Sequence, residues 1–240
     1  MSLFSLSSAV LRFAAGVLFV VAMPSLANSL TNDTLNENFL NEQTASHNAS
    51  NYVKANVAGK MPQQLAIFEQ TFNFSLPTDW KLAYSAQQET MYSAEFLPAD
   101  QELQNWSTMV CVQGFKGVAE DIEPELFLET MANVYLESCQ GEMVFESLPS
   151  EPLNGHETAS AIIGCTKMPN SHIKAIDSTT AYEANHGLGE IGHYTAVKGK
   201  SDLYLIHKSM RGDSFSQTNP PLKAQNYQEF LSSITPLSLH

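Results

Sequence analysis

The order of segments predicts an α+β fold, an antiparallel β-sheet with helices packed on its faces. Three observations carry this. Short apolar–polar alternations separated by turn residues fill positions 72–115. One amphipathic helical pattern interrupts them, starting at Pro124 and ending at Gly141. A second set of strand patterns then runs to a last short helical pattern near the C-terminus.

The chain opens with an export signal. Arg12 is the sole charge among the first 31 residues, and an apolar run from Phe13 to Met23 follows it. Pro24 breaks the run, and Ser25 and Ala27 place small residues ahead of a cut after Ala27. The run is shorter than the ~20 residues of a transmembrane helix, and no later stretch is long enough to span. Residues 1–27 therefore read as a signal peptide removed on export to the periplasm, leaving a mature chain with no membrane span. Residues 28–60, rich in Asn, Thr, Ser and Ala, read as a flexible polar tether. Residues 61–240 read as a single α+β domain.

Within that domain, residues 63–69 carry a short helical pattern. Strands are expected at 72–76, 80–84, 90–97 and 108–115, the last so uniformly apolar that it belongs in the middle of a sheet. Pro124, flanked by Glu123 and Glu125, suits a helix start. Leu128, Met131, Ala132, Tyr135, Leu136 and Cys139 then form one stripe. Strands resume at 143–148 and 160–168, a polar loop covers 169–188, and a hairpin joins 191–198 to 203–210. Asn226 with Glu229 three residues on suggests a capping box for a final helix with Tyr227, Phe230, Leu231 and Ile234 on its apolar face.

Composition excludes several partners. The chain has 25 acidic and 12 basic residues, a net charge of −13. Such a surface repels phosphate backbones and anionic lipid, so no nucleic-acid partner is expected. Three cysteines, Cys111, Cys139 and Cys165, allow three pairings. The helix stripe turns Cys139 toward the sheet, where Cys165 on a strand can meet it, and an oxidising compartment would close that bridge. Cys111 lies in the apolar run Met109-Val110-Cys111-Val112 and reads as a buried thiol.

Several stretches carry a family likeness. They are Phe74-Ser75-Leu76-Pro77-Thr78-Asp79-Trp80-Lys81, Glu95-Phe96-Leu97-Pro98 leading into Asn105-Trp106-Ser107, Phe127-Leu128 through Cys139, Gly164-Cys165, and Tyr194-Thr195-Ala196-Val197-Lys198-Gly199. Over residues 70–235 the chain resembles the PsbP/Mog-like α/β/α sandwich, and is similar to exported proteobacterial proteins of that fold. The resemblance implies a non-catalytic accessory or binding module. It carries over no catalytic residue, and the 169–188 loop looks like an insertion.

Motifs of chemistry are few. Gly187, Gly189 and Gly192 spell G-x-G-x-x-G, but a polar loop precedes them and a strand pattern follows, where a dinucleotide site needs a strand and then a helix. His186, Glu190 and His193 offer imidazole and carboxylate for a metal, the one constellation with ligand chemistry; His172 lies further back. His207 shares its strand face with Leu203 and Leu205 and reads as a packed residue. Arg211-Gly212-Asp213 reads as a turn after a strand, and Trp80 and Trp106 as core anchors. No G-x-S-x-G, H-E-x-x-H, C-x-x-C or P-loop occurs. The expected function is a periplasmic, non-enzymatic binding or accessory module without a cofactor, its partner an envelope protein or small ligand. A metal-binding protein using His186, Glu190 and His193, and a hydrolase with an unrecognised site, are the alternatives.

Overall fold

The computed structural model describes residues 59–172 and 188–240. The expected signal peptide, the tether up to residue 58, and residues 173–187 with His186 lie outside them.

The first element corrects the sequence reading. Residues 63–69 are not helical but belong to a hairpin, β1 (Lys60–Ile67) and β2 (Gln70–Pro77). Phe68 adopts φ 53° in the turn between them, and Lys60 pairs with Pro77 through to Ile67 with Gln70. Ile67, Phe72, Phe74 and Leu76 are buried from this hairpin. Burial and the ladder together override a weak local helical preference. The C-terminal β10 (Ser238–Leu239) adds to the other edge of β2, giving the order β1-β2-β10.

The larger sheet is antiparallel throughout. Its strands are β3 (Trp80–Gln87), β4 (Met91–Pro98), β5 (Thr108–Phe115), β6 (Met143–Leu148), β7 (Thr158–Cys165), β8 (Leu188–Lys198) and β9 (Leu203–Asp213). They lie in the order β3-β4-β5-β9-β8-β7-β6. β5 is an inner strand buried along nearly its whole length, as its uniform apolarity foretells.

The two faces of this sheet are covered differently. On one face lies α1 (Pro124–Ser138), which packs on β7 and β8. Phe127 and Leu128 are buried there, with Met131, Ala132 and Tyr135 half-buried against Ala161, Ile163, Tyr194 and Leu205. Leu136, expected on the buried stripe, is 53% exposed. Eight residues advance a helix about 80° past a whole number of turns, so Leu136 rolls off the line of Leu128 while Tyr135 stays on it. The other face packs Val110, Val112, Val197, Tyr204 and Ile206 against Phe72, Phe74 and Leu239 of the small sheet.

Further along that second face sits α2 (Tyr227–Leu231). Its expected capping box does not form. Asn226 Oδ1 instead accepts from Lys223 N (2.8 Å), and its Nδ2 donates to Pro221 O (2.9 Å), so the side chain closes the preceding turn. The C-terminal end of α2 is held by cations. Lys208 Nζ donates to Phe230 O at 2.6 Å and Ser233 Oγ at 2.7 Å, and Lys60 Nζ donates to Ser232 O.

Cys139, the C-cap of α1, is disulfide-bonded to Cys165 at the end of β7, with Cα atoms 5.7 Å apart. Gly141 lets the chain turn back directly over this bridge, since a Cβ there would strike Thr166 Oγ1 and stand 2.9 Å from Lys167 N. Cys111 is a free, buried thiol. The bridge spans a sequence separation of 26, so the Cys139→Ser/Cys165→Ser variant is expected to lose about 3 kcal/mol, measured by urea unfolding against the oxidised protein.

Candidate functional site

Strand alternation sorts the chemistry-bearing side chains onto the α1 side of the large sheet. Tyr84, Glu95, Cys111, His207 and Tyr194 stand directly opposite one another across β3, β4, β5, β9 and β8. Directly opposed side chains begin only about 4.5–5.5 Å apart, so this row is a continuous polar and aromatic band across five strands. His207 stacks on Tyr194 with ring centroids 4.6 Å apart. Two residues along, Gly192 makes room for the band, because a Cβ there would collide with Ser209 Oγ and lie 2.8 Å from Lys208 O.

Polar and ring contacts lead from this band to the helix. His207 Nδ1 lies 3.0 Å from Ser209 Oγ, and the Tyr194 ring meets Tyr135 of α1 edge-on with centroids 6.5 Å apart. Tyr135 Oη donates to Glu190 Oε1 at 2.6 Å, and Arg211 Nη1 donates to Glu190 Oε2 at 2.8 Å. Arg211 Nη2 donates to Met168 O, which ties the segment after β7 to the same centre.

Burial pushes the His207 pKa down to about 4 and raises the Cys111 thiol, with Glu95 adding to the effect, so His207 is held neutral and Cys111 is held as the thiol.

Two of the three expected metal ligands, Glu190 and His193, leave β8 on opposite faces. Glu190 points to the α1 side, toward Tyr135 and Arg211. His193, three residues along the same strand, emerges on the opposite face and stacks on Tyr227 of α2 at 5.2 Å. Burial lowers its pKa to about 4. His186 lies outside the described residues, and no group of three or more ligating side chains occurs among the described ones. The glycine motif fails for the same reason of context. Gly189 and Gly192 lie within β8, Gly189 paired with Gly212 of β9 and Gly192 with both Ile163 and Ser209, with no helix start after them. Arg211 is not in a turn but inside β9, its side chain 2% exposed.

Trp106 is buried, as expected of a core anchor, and so is Glu95 in the band; Glu95 Oε2 and Trp106 Nε1 have no hydrogen-bond partner among the described residues. Burial pushes the Glu95 pKa from 4.5 up to about 7. Trp106 packs on Leu97 and Met109, on the same face as Glu95, with the Arg211 guanidinium 5.8 Å from its ring centroid.

Two outcomes are expected. Arg211→Met strands the Glu190 carboxylate and costs about 3–5 kcal/mol, whereas Arg211→Met/Glu190→Met costs clearly less than the sum of its single changes; chemical unfolding of the four proteins reads the coupling. For Glu95, the folded pKa lies above the unfolded one, so its contribution is intact below pH 4.5 and is lost as pH rises through about 7. Glu95→Gln should therefore gain on the parent protein across that window, by on the order of 3 kcal/mol, in paired melts at several pH values. A difference that stays flat with pH would contradict this.

No protein family's sequence pattern matches this chain, and no curated protein matches it. Solved structures do. The Saccharomyces cerevisiae Ran-binding protein Mog1p is similar over 73% of this chain and 95% of its own, at 9% identity and a TM-score of 0.40. LpqN, described as involved in cell envelope biogenesis of Mycobacterium tuberculosis, is similar over 78% of this chain and all of its own, at 11% identity and a TM-score of 0.30.

Proposed function

We propose that the chain is an exported, non-enzymatic binding or accessory module of the periplasm. Residues 1–27 direct export and are cut after Ala27, residues 28–60 tether, and the remainder is one folded unit. The observation that carries the reading is the Cys139–Cys165 bridge. Structural disulfides persist in oxidising compartments and are rare in reducing ones. This bridge clamps the end of a helix onto the strand it covers, a structural place rather than a catalytic one. The partner is an envelope protein or a small ligand.

A native mass spectrum of protein taken from its own periplasm tests this. The expected mass is that of residues 28–240 less two hydrogens. Recovery in the cytoplasmic fraction with all three thiols free would overturn the reading.

A further inference from the structure

On the α1 side Glu95 is 8% exposed, and its Oε2 has no hydrogen-bond donor among the described residues. His172 Nε2 stands 3.7 Å away, beyond hydrogen-bond reach. Burial and the Arg211 charge both hold that imidazole toward its neutral form. Arg211 itself is committed to Glu190 and Met168. An acid left this way costs stability, and such a group in a native fold calls for an explanation.

The neighbouring strand supplies one. β3 is an edge strand with a bulge between Leu82 and Tyr84. Leu82 pairs with Phe96; regular continuation would set Ala83 opposite Glu95 and send Tyr84 to the other face. The bulge takes up Ala83 as the extra residue, and Tyr84 becomes the direct partner of Glu95. Bulges re-aim side chains in this way at sheet edges and beside functional sites. Tyr84 is 38% exposed, and its phenol pKa is raised by burial and, secondarily, by the charge of Glu95. An open aromatic ring thus adjoins a buried acid that lacks a donor.

We infer that Tyr84, Glu95 and His172 form a binding site for a small organic cation, an ammonium or guanidinium group. Glu95 Oε2 accepts its N–H, the Tyr84 ring lies against it, and His172 lines the inner side. One carboxylate and one imidazole are too few donors for a tightly held metal. An organic cation needs only the charge and the ring. The net charge of −13 favours the encounter. This inference rests on the binding-module reading and gives it a ligand class.

The test is an NMR titration of the oxidised mature protein with n-butylammonium, n-butylguanidinium and, as neutral isostere, n-butanol. At least one cation should bind with shifts centred on Tyr84, Glu95 and His172, and butanol should not. Glu95→Gln should weaken that binding at least tenfold and Tyr84→Ala several-fold. Tyr84 is an exposed edge residue, so its variant remains informative even if Glu95→Gln folds poorly. Equal binding of butanol, unchanged affinity in both variants, or no binding of either cation would overturn the site. A titration in vitro does not depend on where the cell keeps the protein, so a failure here is distinct from a failure of the export experiment.

Discussion

The buried pair of Glu190 and Arg211 is the constraint around which one half of the molecule is arranged. Burying either charge alone costs several kcal/mol, and the pair is tolerable only if its remaining hydrogen-bonding capacity is also met. Tyr135 meets part of it from α1, and Met168 meets part of it from the segment after β7. Four pieces of chain, α1, β8, β9 and the 166–172 segment, are therefore fixed to one point. The disulfide repeats the link a short distance away, since Cys165 is the ladder partner of Glu190 and carries α1 through Cys139. The helix is held at its end by a covalent bond and along its side by a charge. Its own apolar stripe is short, with only Phe127 and Leu128 deeply buried among its larger side chains.

The opposite face is solved with apolar area instead. Phe72, Phe74, Phe96, Val110, Val112, Tyr204 and Ile206 form a continuous cluster under the β1-β2-β10 sheet. Each large side chain buried there contributes roughly 1.5–3 kcal/mol. The α1 side has its own apolar cluster, with Phe115, Phe127, Leu128, Ile163 and Leu205, and Ser93, Glu95, Gln113, His207 and Ser209 are buried on that same face beside it.

Much of the architecture was legible because it is local. The strands after residue 72, the start of α1 at Pro124, the 191–210 hairpin and the Cys139–Cys165 pairing all follow from period, turn residues and one helix stripe. What was not legible depends on register. Whether residues 63–69 extend or coil was decided by β2, which has to pair with something. Glu190 and His193 look like metal ligands at helical spacing, yet on a strand an odd separation puts them on opposite faces. Arg211 in an R-G-D spelling looks exposed until β9 is seen to run on to Asp213. Tyr84 and Glu95 carry no motif at all. They meet because of one bulge, and neither Leu82-Ala83-Tyr84 nor the β4 sequence announces it.

The α1 side accommodates two buried acids in different ways. Glu190 is met from both sides, by Tyr135 Oη at 2.6 Å and Arg211 Nη1 at 2.8 Å, and removing the cation would strand a buried charge. Glu95, on the edge-strand side, has His172 Nε2 3.7 Å away and no hydrogen-bond partner for its Oε2 among the described residues. Burial pushes the Glu95 pKa up to about 7, so the acid that braces this face and the acid that titrates on it are separate groups on separate strands.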